Sequence, residues 1–405
     1  MLISAGDLFI AGNHSTISVA AIGVAIGVYN PVFLFGIGMT MGISPALAIK
    51  RGKSEDTHQY LKSILLYTFI IGIFLSLITK LLNNFVPYMG IDQELIPFVQ
   101  RYIDIILWSF PFAYLFQGIK EYFQSFEKVV LANTIATIAV FINLGVNYIL
   151  VFGLFVFPKL GFDGLAYASF IIRVFLAIAI FIPARKYLFM GKIDFTFIRY
   201  IFKFSFSIAI MFFVEVLAFS AVSILIGGMG VAVSAANNII LNIASITFML
   251  PYSISNAVSV KVGAKFGKND FYSIKKYAFS ALFISISFMI MTAICYILFP
   301  KYIINIVSHD PDVVIIGVSL LSVVAIFQVA DGIQITLAGI LRGMEKTKQS
   351  FYSVLIGYWC VGLPIGAVLA YHFHYGAKGL WIGIASSLIL VAISLSFIFK
   401  HQFKK

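Results

Sequence analysis

Three carboxylates stand where the sequence has almost nothing else that is polar. Glu215 lies in AIMFFVEVLAFSAV, with no lysine or arginine within ten positions on either side. Asp331 lies in VVAIFQVADGIQITLAG and meets no basic residue before Arg342. Asp7 interrupts the short apolar run MLISAGDLFIAG. A charge deep in an apolar layer is costly, and by default it marks an ion pathway, a proton relay or a cavity. With no counter-charge nearby in sequence, Glu215 and Asp331 each need a proton, a cation or a distant partner. Carboxyl groups in low dielectric hold a proton more tightly than in water and can exchange it near neutral pH. The chemistry these acids suggest is ion binding and release. A hydrogen-bonded structural acid is the plainer alternative, most of all for Asp7.

Amides accompany them. Asn143 and Asn147 are four apart and share one helix face, as do Asn238 and Asn242, while Gln328 and Gln334 flank Asp331. Asn143, Asn147, Asn238 and Gln328 are the candidate ligand or ion contacts; interhelical hydrogen bonding is the alternative for each. Most of the other acids lie in loops and read as solvated. Asp104 follows Arg101 by one turn and is expected to pair with it locally. Cys295 and Cys360 lie in apolar runs and are expected to be small buried hydrophobes. The histidines form no metal cluster. The only metal expected is sodium at Glu215 and Asp331, and no cofactor is expected beyond H+ or Na+ as coupling ion.

The elements that hold these residues follow from composition. Of 405 residues, 61% are hydrophobic and 11% charged, far from the balance of a soluble domain. Long apolar runs predict an all-α polytopic membrane protein. Spans are expected near 16–49, 61–82, 97–119, 129–152, 161–184, 199–226, 232–262, 276–299, 312–339, 350–371 and 377–399, with kinks at Pro31 and Pro251. The net charge of +12 does not point to nucleic acid, because 22 basic residues fall in one set of short loops and four in the other. That asymmetry puts the carboxyl terminus in the cytoplasm.

The chain also repeats itself. DLFIAGNHSTISVAA aligns with SILIGGMGVAVSAAN, and KRGKSEDTHQYLKS with KFGKNDFYSIKKYA. QSFEK aligns with RGMEK, and GFDGLAYASF with GAKGLWIGIA. The four offsets are 216, 215, 218 and 215. A near-constant offset means a duplicated unit of six spans, with parallel repeats related by an axis along the membrane normal. The expected lobes are residues 1–190 and 191–405. Asp7 aligns with Ser223, which lies late in its own span. The helix of Asp7 is therefore expected to begin about 17 residues before Met1, so that the chain as written lacks its start.

These landmarks carry a family resemblance. GDLFIAG, FFVEVLAF, FMLPYSISNAVSVKVGAKFGKND, QVADGIQITLAGILRGMEKT and YWCVGLPIGAVL…GAKGLWIGI resemble the multidrug and toxic compound extrusion (MATE) transporters of the NorM-like bacterial branch, almost end to end. The resemblance implies a MATE-like bundle of 6+6 helices around a central cleft. It implies a monomeric multi-pass protein of the bacterial inner membrane that exports cationic, amphipathic small molecules against inward H+ or Na+. It puts Asp7, Glu215 and Asp331 at the family's ion-coupling acids, and Asn143 and Asn147 at its amino-lobe polar pair. Phe327 stands where some sodium-using relatives have a tyrosine, which leaves the coupling ion open.

Three rival readings fit the sequence less well. A lipid-linked oligosaccharide flippase of the same superfamily would need a more basic interior than Arg101 and Arg173 supply. An intramembrane aspartyl protease would carry GxGD, whereas Asp331 follows QVA. A channel fits parallel repeats with mid-span acids less well. The expected protein is not an enzyme.

Overall fold

In a bilayer every backbone polar group must be satisfied within the chain, which leaves helices as the way for long apolar runs to cross. The computed structural model describes residue 10 and residues 16–153 and 158–403, all of them without a strand. Asp7 and the expected incomplete helix around it lie outside the described residues. Among the described residues, eleven helices are long and apolar enough to cross a membrane. They are α1 Ala20–Gly52, α2 His58–Tyr88, α3 Ile96–Ser125, α4 Val129–Phe152, α5 Phe162–Met190, α6 Phe195–Gly227, α7 Val231–Gly267, α8 Phe271–Leu298, α9 Pro311–Gly343, α10 Thr347–His372 and α11 Gly376–His401. These are the eleven spans expected from the apolar runs.

The helices group into two compact units. The first comprises Met1–Leu47 with Asp56–Ala209, and the second Ala48–Glu55 with Ile210–Lys405. Each has its own apolar core. In the first, Tyr29, Tyr102, Phe110 and Tyr114 form an aromatic interior. In the second, α9 packs against α7, α8 and α11, and Phe327 stacks on Trp381 with ring centroids 6.0 Å apart.

The duplication is visible in the backbone. Left-handed residues recur at the repeat offset: Ser54 with Asn269, Glu127 with Glu345, and Gly161 with Gly376. An ion pair recurs with them. Lys50 meets Glu55 at 2.7 Å, and Lys265 meets Asp270 at 3.1 Å. Asp270 also caps α8 through the Ser273 backbone N–H, at 3.0 Å.

Pro31 and Pro251 lie inside helices, and α1 is also interrupted by a turn at Met41–Gly42. There the chain passes close to α6. A Cβ on Gly42 would stand 2.3 Å from Ser205 Oγ, and one on Gly38 would stand 2.6 Å from Ala209 Cα. Asp104 pairs with Lys80 on α2 at 2.7 Å and accepts from Asn83 Nδ2 at 2.8 Å, while Arg101 pairs with Asp163 on α5 at 2.7 Å. Packing of neighbouring helices therefore overrides the one-turn spacing between Arg101 and Asp104, and Asp163 is engaged rather than simply solvated. Both cysteines are exposed. In a membrane span an apolar side chain can be satisfied by lipid as well as by a core, so apolar company does not imply burial.

Candidate ion site in the second unit

Three helices of the second unit bring the site together. The first contribution is Glu215 on α6. The neighbouring carbonyl of Val214 accepts a 3.0 Å hydrogen bond from Trp359 Nε1 on α10, which fixes the α6 backbone beside the acid. Asp331 and Gln334 come from α9. Gly332, next to Asp331, lets α9 approach α8. A Cβ there would stand 2.6 Å from Met289 Cγ, and Ser285 Oγ donates to the Gly332 carbonyl at 3.2 Å.

The last contribution is Tyr358. Around Pro364 the winding of α10 loosens into two π-helical stretches, Ile356–Gly362 and Val368–His372. Proline offers no N–H and crowds the preceding turn, and π stretches of this kind are common at functional sites. Tyr358 lies in the first stretch, fully buried.

The polar contacts converge on one atom. Glu215 Oε1 accepts from Tyr358 OH at 3.0 Å and from Gln334 Nε2 at 3.1 Å, and Gln334 Nε2 also reaches Tyr358 OH at 3.3 Å. Glu215 lies close enough for its charge to act on Asp331, and both acids are partly exposed. Neither forms an ion pair with a basic residue among the described residues. Gln334 Oε1 is buried and accepts no hydrogen bond. A buried acceptor without a donor is costly. Carboxylate and amide oxygens are ligands of the kind hard cations take.

The other predicted residues fall elsewhere. Gln328 is 1% exposed and donates to Thr247 Oγ1 at 2.8 Å and Thr292 Oγ1 at 3.4 Å, in a network with Tyr296. It is not among the partners of the two acids. Asn238 is exposed, and its backbone carbonyl accepts from Asn242 Nδ2. Its neighbour Asn237 is the buried one, bonded to Trp381 Nε1 at 3.0 Å. Asn143 and Asn147 lie together on α4 in the first unit, both fully buried, and neither polar side-chain atom of Asn143 finds a partner. Arg173 on α5 donates to Ser109 Oγ at 2.8 Å and stands 4.5 Å from the Phe33 ring. Phe327, buried on Trp381, contributes no oxygen to the site.

Sequence reasoning missed Tyr358 altogether and passed over Gln334 for Gln328. Gln334 stands one turn from Asp331, as Gln328 does on the other side, so spacing gave no signal to prefer it.

The MatE family model matches residues 1–149 and again residues 207–368, so the two halves are recovered separately. The chain belongs to the MatE family. A probable multidrug resistance protein NorM from Shewanella oneidensis is 30% identical over 419 residues, covering 98% of this chain and 90% of its own. The multidrug resistance protein NorM of Aliivibrio fischeri is 30% identical over 417 residues, covering 96% and 88%. Among solved structures, the Vibrio cholerae MATE transporter VcmN in its bent form superposes with a TM-score of 0.88 at 17% identity, covering 98% of this chain and 92% of that one. A MOP superfamily transporter from Pyrococcus furiosus, described as having a binding pocket of reverse polarity, gives 0.85 at 16% identity, covering 99% and 91%. At these identities the superpositions speak for the fold alone. The resemblance read from the sequence landmarks is thus the family, and this MatE chain is a multi-pass membrane protein with the fold of MATE transporters.

Proposed function

We propose that this MatE protein is a secondary active antiporter that exports cationic, amphipathic compounds in exchange for inward H+ or Na+ by alternating access. The observation that carries the reading is the pair Glu215 and Asp331. Two carboxylates lie within reach of each other in a membrane interior, without a basic partner, beside the idle acceptor Gln334 Oε1. Such a group is incomplete until it takes up a proton or a cation. The names of the NorM relatives support drug export, and their bacterial origin supports the inner membrane. Loop charge supports a cytoplasmic carboxyl terminus. The protein acts as a monomer in this reading.

In the cycle, a cationic substrate and the coupling ion compete for the carboxylates. Loading the ion lowers the negative charge of Glu215 with Asp331, changes the polarity around α6, α9 and α10, and favours the state that releases substrate outward. Asp7 is the corresponding acid of the first unit in this reading, and Asn143 and Asn147 are that unit's polar pair. Coupling requires that the ion bind one state more tightly than the other.

Efflux of a fluorescent organic cation from cells tests this. Glu215→Gln and Asp331→Asn are expected to abolish ion-driven export while the protein still reaches the membrane; export at the wild-type rate overturns the assignment. Proteoliposomes with sodium and pH gradients imposed separately identify the ion. The second reading, a flippase for a lipid-linked oligosaccharide, is favoured only by Arg173. That residue is already engaged by Ser109 and Phe33.

A further inference from the structure

The basic end of the first unit carries a feature that the ion site does not use. Between the start of α4 and the end of α5 lies a groove of about 630 Å³. Lys128 and Lys186 line it, both exposed and neither paired with a carboxylate among the described residues. Both are near enough to His58 for their charges to act on it, so they converge on one place.

The wall behind them is stiff. Lys186 Nζ stands 4.9 Å from the centroid of the Tyr187 ring. Tyr187 lies flat on His58, and Phe126 lies flat on the other face of His58, each with centroids 4.4 Å apart. His58 Nδ1 is hydrogen-bonded to Tyr122 OH. Two acids are nearby. Asp56 accepts from the His58 backbone N–H at 3.0 Å, and Glu127 sits in the left-handed turn before α4; neither lines the groove.

Away from the lysines the groove turns apolar. Val130 and Leu131 are 76% and 41% exposed, and Thr134 follows. From Lys128 to Thr134 is about 9 Å along the helix at 1.5 Å per residue. Two positive charges over a short apolar wall at the end of a membrane helix match the headgroup and upper chains of an acidic lipid.

A second groove, of about 400 Å³, lies at the related place in the second unit, lined by Gln349, Phe397, Lys400 and His401. The repeat offset puts Lys348 and Gln349 where Val130 and Leu131 stand, so the apolar wall of the first groove is not repeated there.

We propose that the α4–α5 groove binds an anionic glycerophospholipid, with its phosphate between Lys128 and Lys186 and its acyl chains along Val130 and Leu131. A phosphatidylcholine headgroup brings its own ammonium to the same place and is disfavoured, and free phosphate lacks the apolar part. Only the leaflet, the inner one, rests on the orientation proposed above; binding itself is independent of transport.

Native mass spectrometry of the delipidated full chain tests the proposal, with phosphatidylglycerol or phosphatidylcholine added back. Lys128→Ala with Lys186→Ala is expected to retain one phosphatidylglycerol fewer than wild type, with affinity lowered at least about tenfold. The charge-matched control, Lys275→Ala with Lys276→Ala, and the charge-keeping Lys128→Arg with Lys186→Arg are both expected to bind as wild type. Equal retention by the two double-alanine proteins overturns the proposal. So does phosphatidylcholine held as tightly as phosphatidylglycerol, or equimolar inorganic phosphate displacing the lipid.

Discussion

Tyr358 donates its hydroxyl hydrogen to Glu215 Oε1 across 3.0 Å, from the π-wound stretch of α10. The Gln334 amide reaches the same oxygen at 3.1 Å. Glu215 is therefore held in place by two donors, while Asp331 has no hydrogen bond to a described residue beyond its electrostatic contact with Glu215. The two acids differ in role: one is positioned, the other is open to a new partner.

Removing the phenol tests that division. Tyr358→Phe keeps the ring and its packing against Phe219 but takes one donor from Glu215. Hydrogen bonds to charged groups contribute about 1.5–3 kcal/mol, so ion-driven efflux should fall about tenfold or more. Transport by vesicles under a fixed gradient measures this. An unchanged rate would separate Tyr358 from ion handling.

Gln328 and Gln334 should part company. Gln328→Leu leaves Thr247 and Thr292 without their amide donor in a buried network, at a cost of about 1–3 kcal/mol. The melting temperature in detergent should drop while the ion dependence of efflux is kept. Gln334→Leu removes a buried oxygen that lacks a donor, but also the amide that donates to Glu215 Oε1 at 3.1 Å. It should lose coupling, whatever it does to the melting temperature. The reverse pattern would reassign the two residues.

Close backbone approach in the first unit gives a stability prediction. A Cβ on Gly72 of α2 would stand 2.4 Å from Pro111 Cα on α3. Backbone cannot move aside as a flexible side chain can. Gly72→Ala should therefore destabilise by about 1–3 kcal/mol, read as a lower melting temperature and less folded protein in the membrane.

Acid stability should depend on Asp270. Hydrogen bonds from Ser273, followed by Lys265, lower its pKa from 3.8 to about 2. The folded state thus favours the ionised form, and the stabilisation is complete above the unfolded value. It is lost as pH falls from about 4 to about 2. Asp270→Asn keeps a capping side chain but has no proton to take up. Its melting temperature should fall less than that of the wild type across that window; parallel curves would rule out this contribution.

Much of the fold was legible because its signals are long. Runs of twenty apolar residues and paired loop charges mark the eleven spans, and the RGKSED and FGKND loops mark the repeat. The left-handed Ser54 and Asn269 lie in those loops. Glu215 and Asp331 were legible because nothing else near them is charged. The partners were not. Gln328 and Gln334 lie three residues either side of Asp331, about 60° off its direction to left and right, so periodicity cannot choose between them. The choice depends on which neighbour packs on which face: Thr247 of α7 and Thr292 of α8 on one, Glu215 of α6 on the other. Tyr358 looks like any tyrosine in an apolar run, and the π winding takes it out of helical phase. The exposed cysteines and the Lys80–Asp104 pair were misread for a related reason. Neighbouring helices and lipid decide contacts that one-dimensional spacing cannot carry.

The lack of a basic partner beside Glu215 and Asp331 also sets an electrical limit. Empty, this part of the second unit carries two negative charges; with two monovalent ions aboard it carries none. No arginine or lysine in the group contributes a compensating charge that would travel with it. In the antiport cycle proposed above, at most two elementary charges can therefore be ferried through this site per turnover, each worth about 2.3 kcal/mol for every 100 mV it crosses. The membrane voltage alone, with ion concentrations equal on both sides, would then bias the direction in which the site fills and empties.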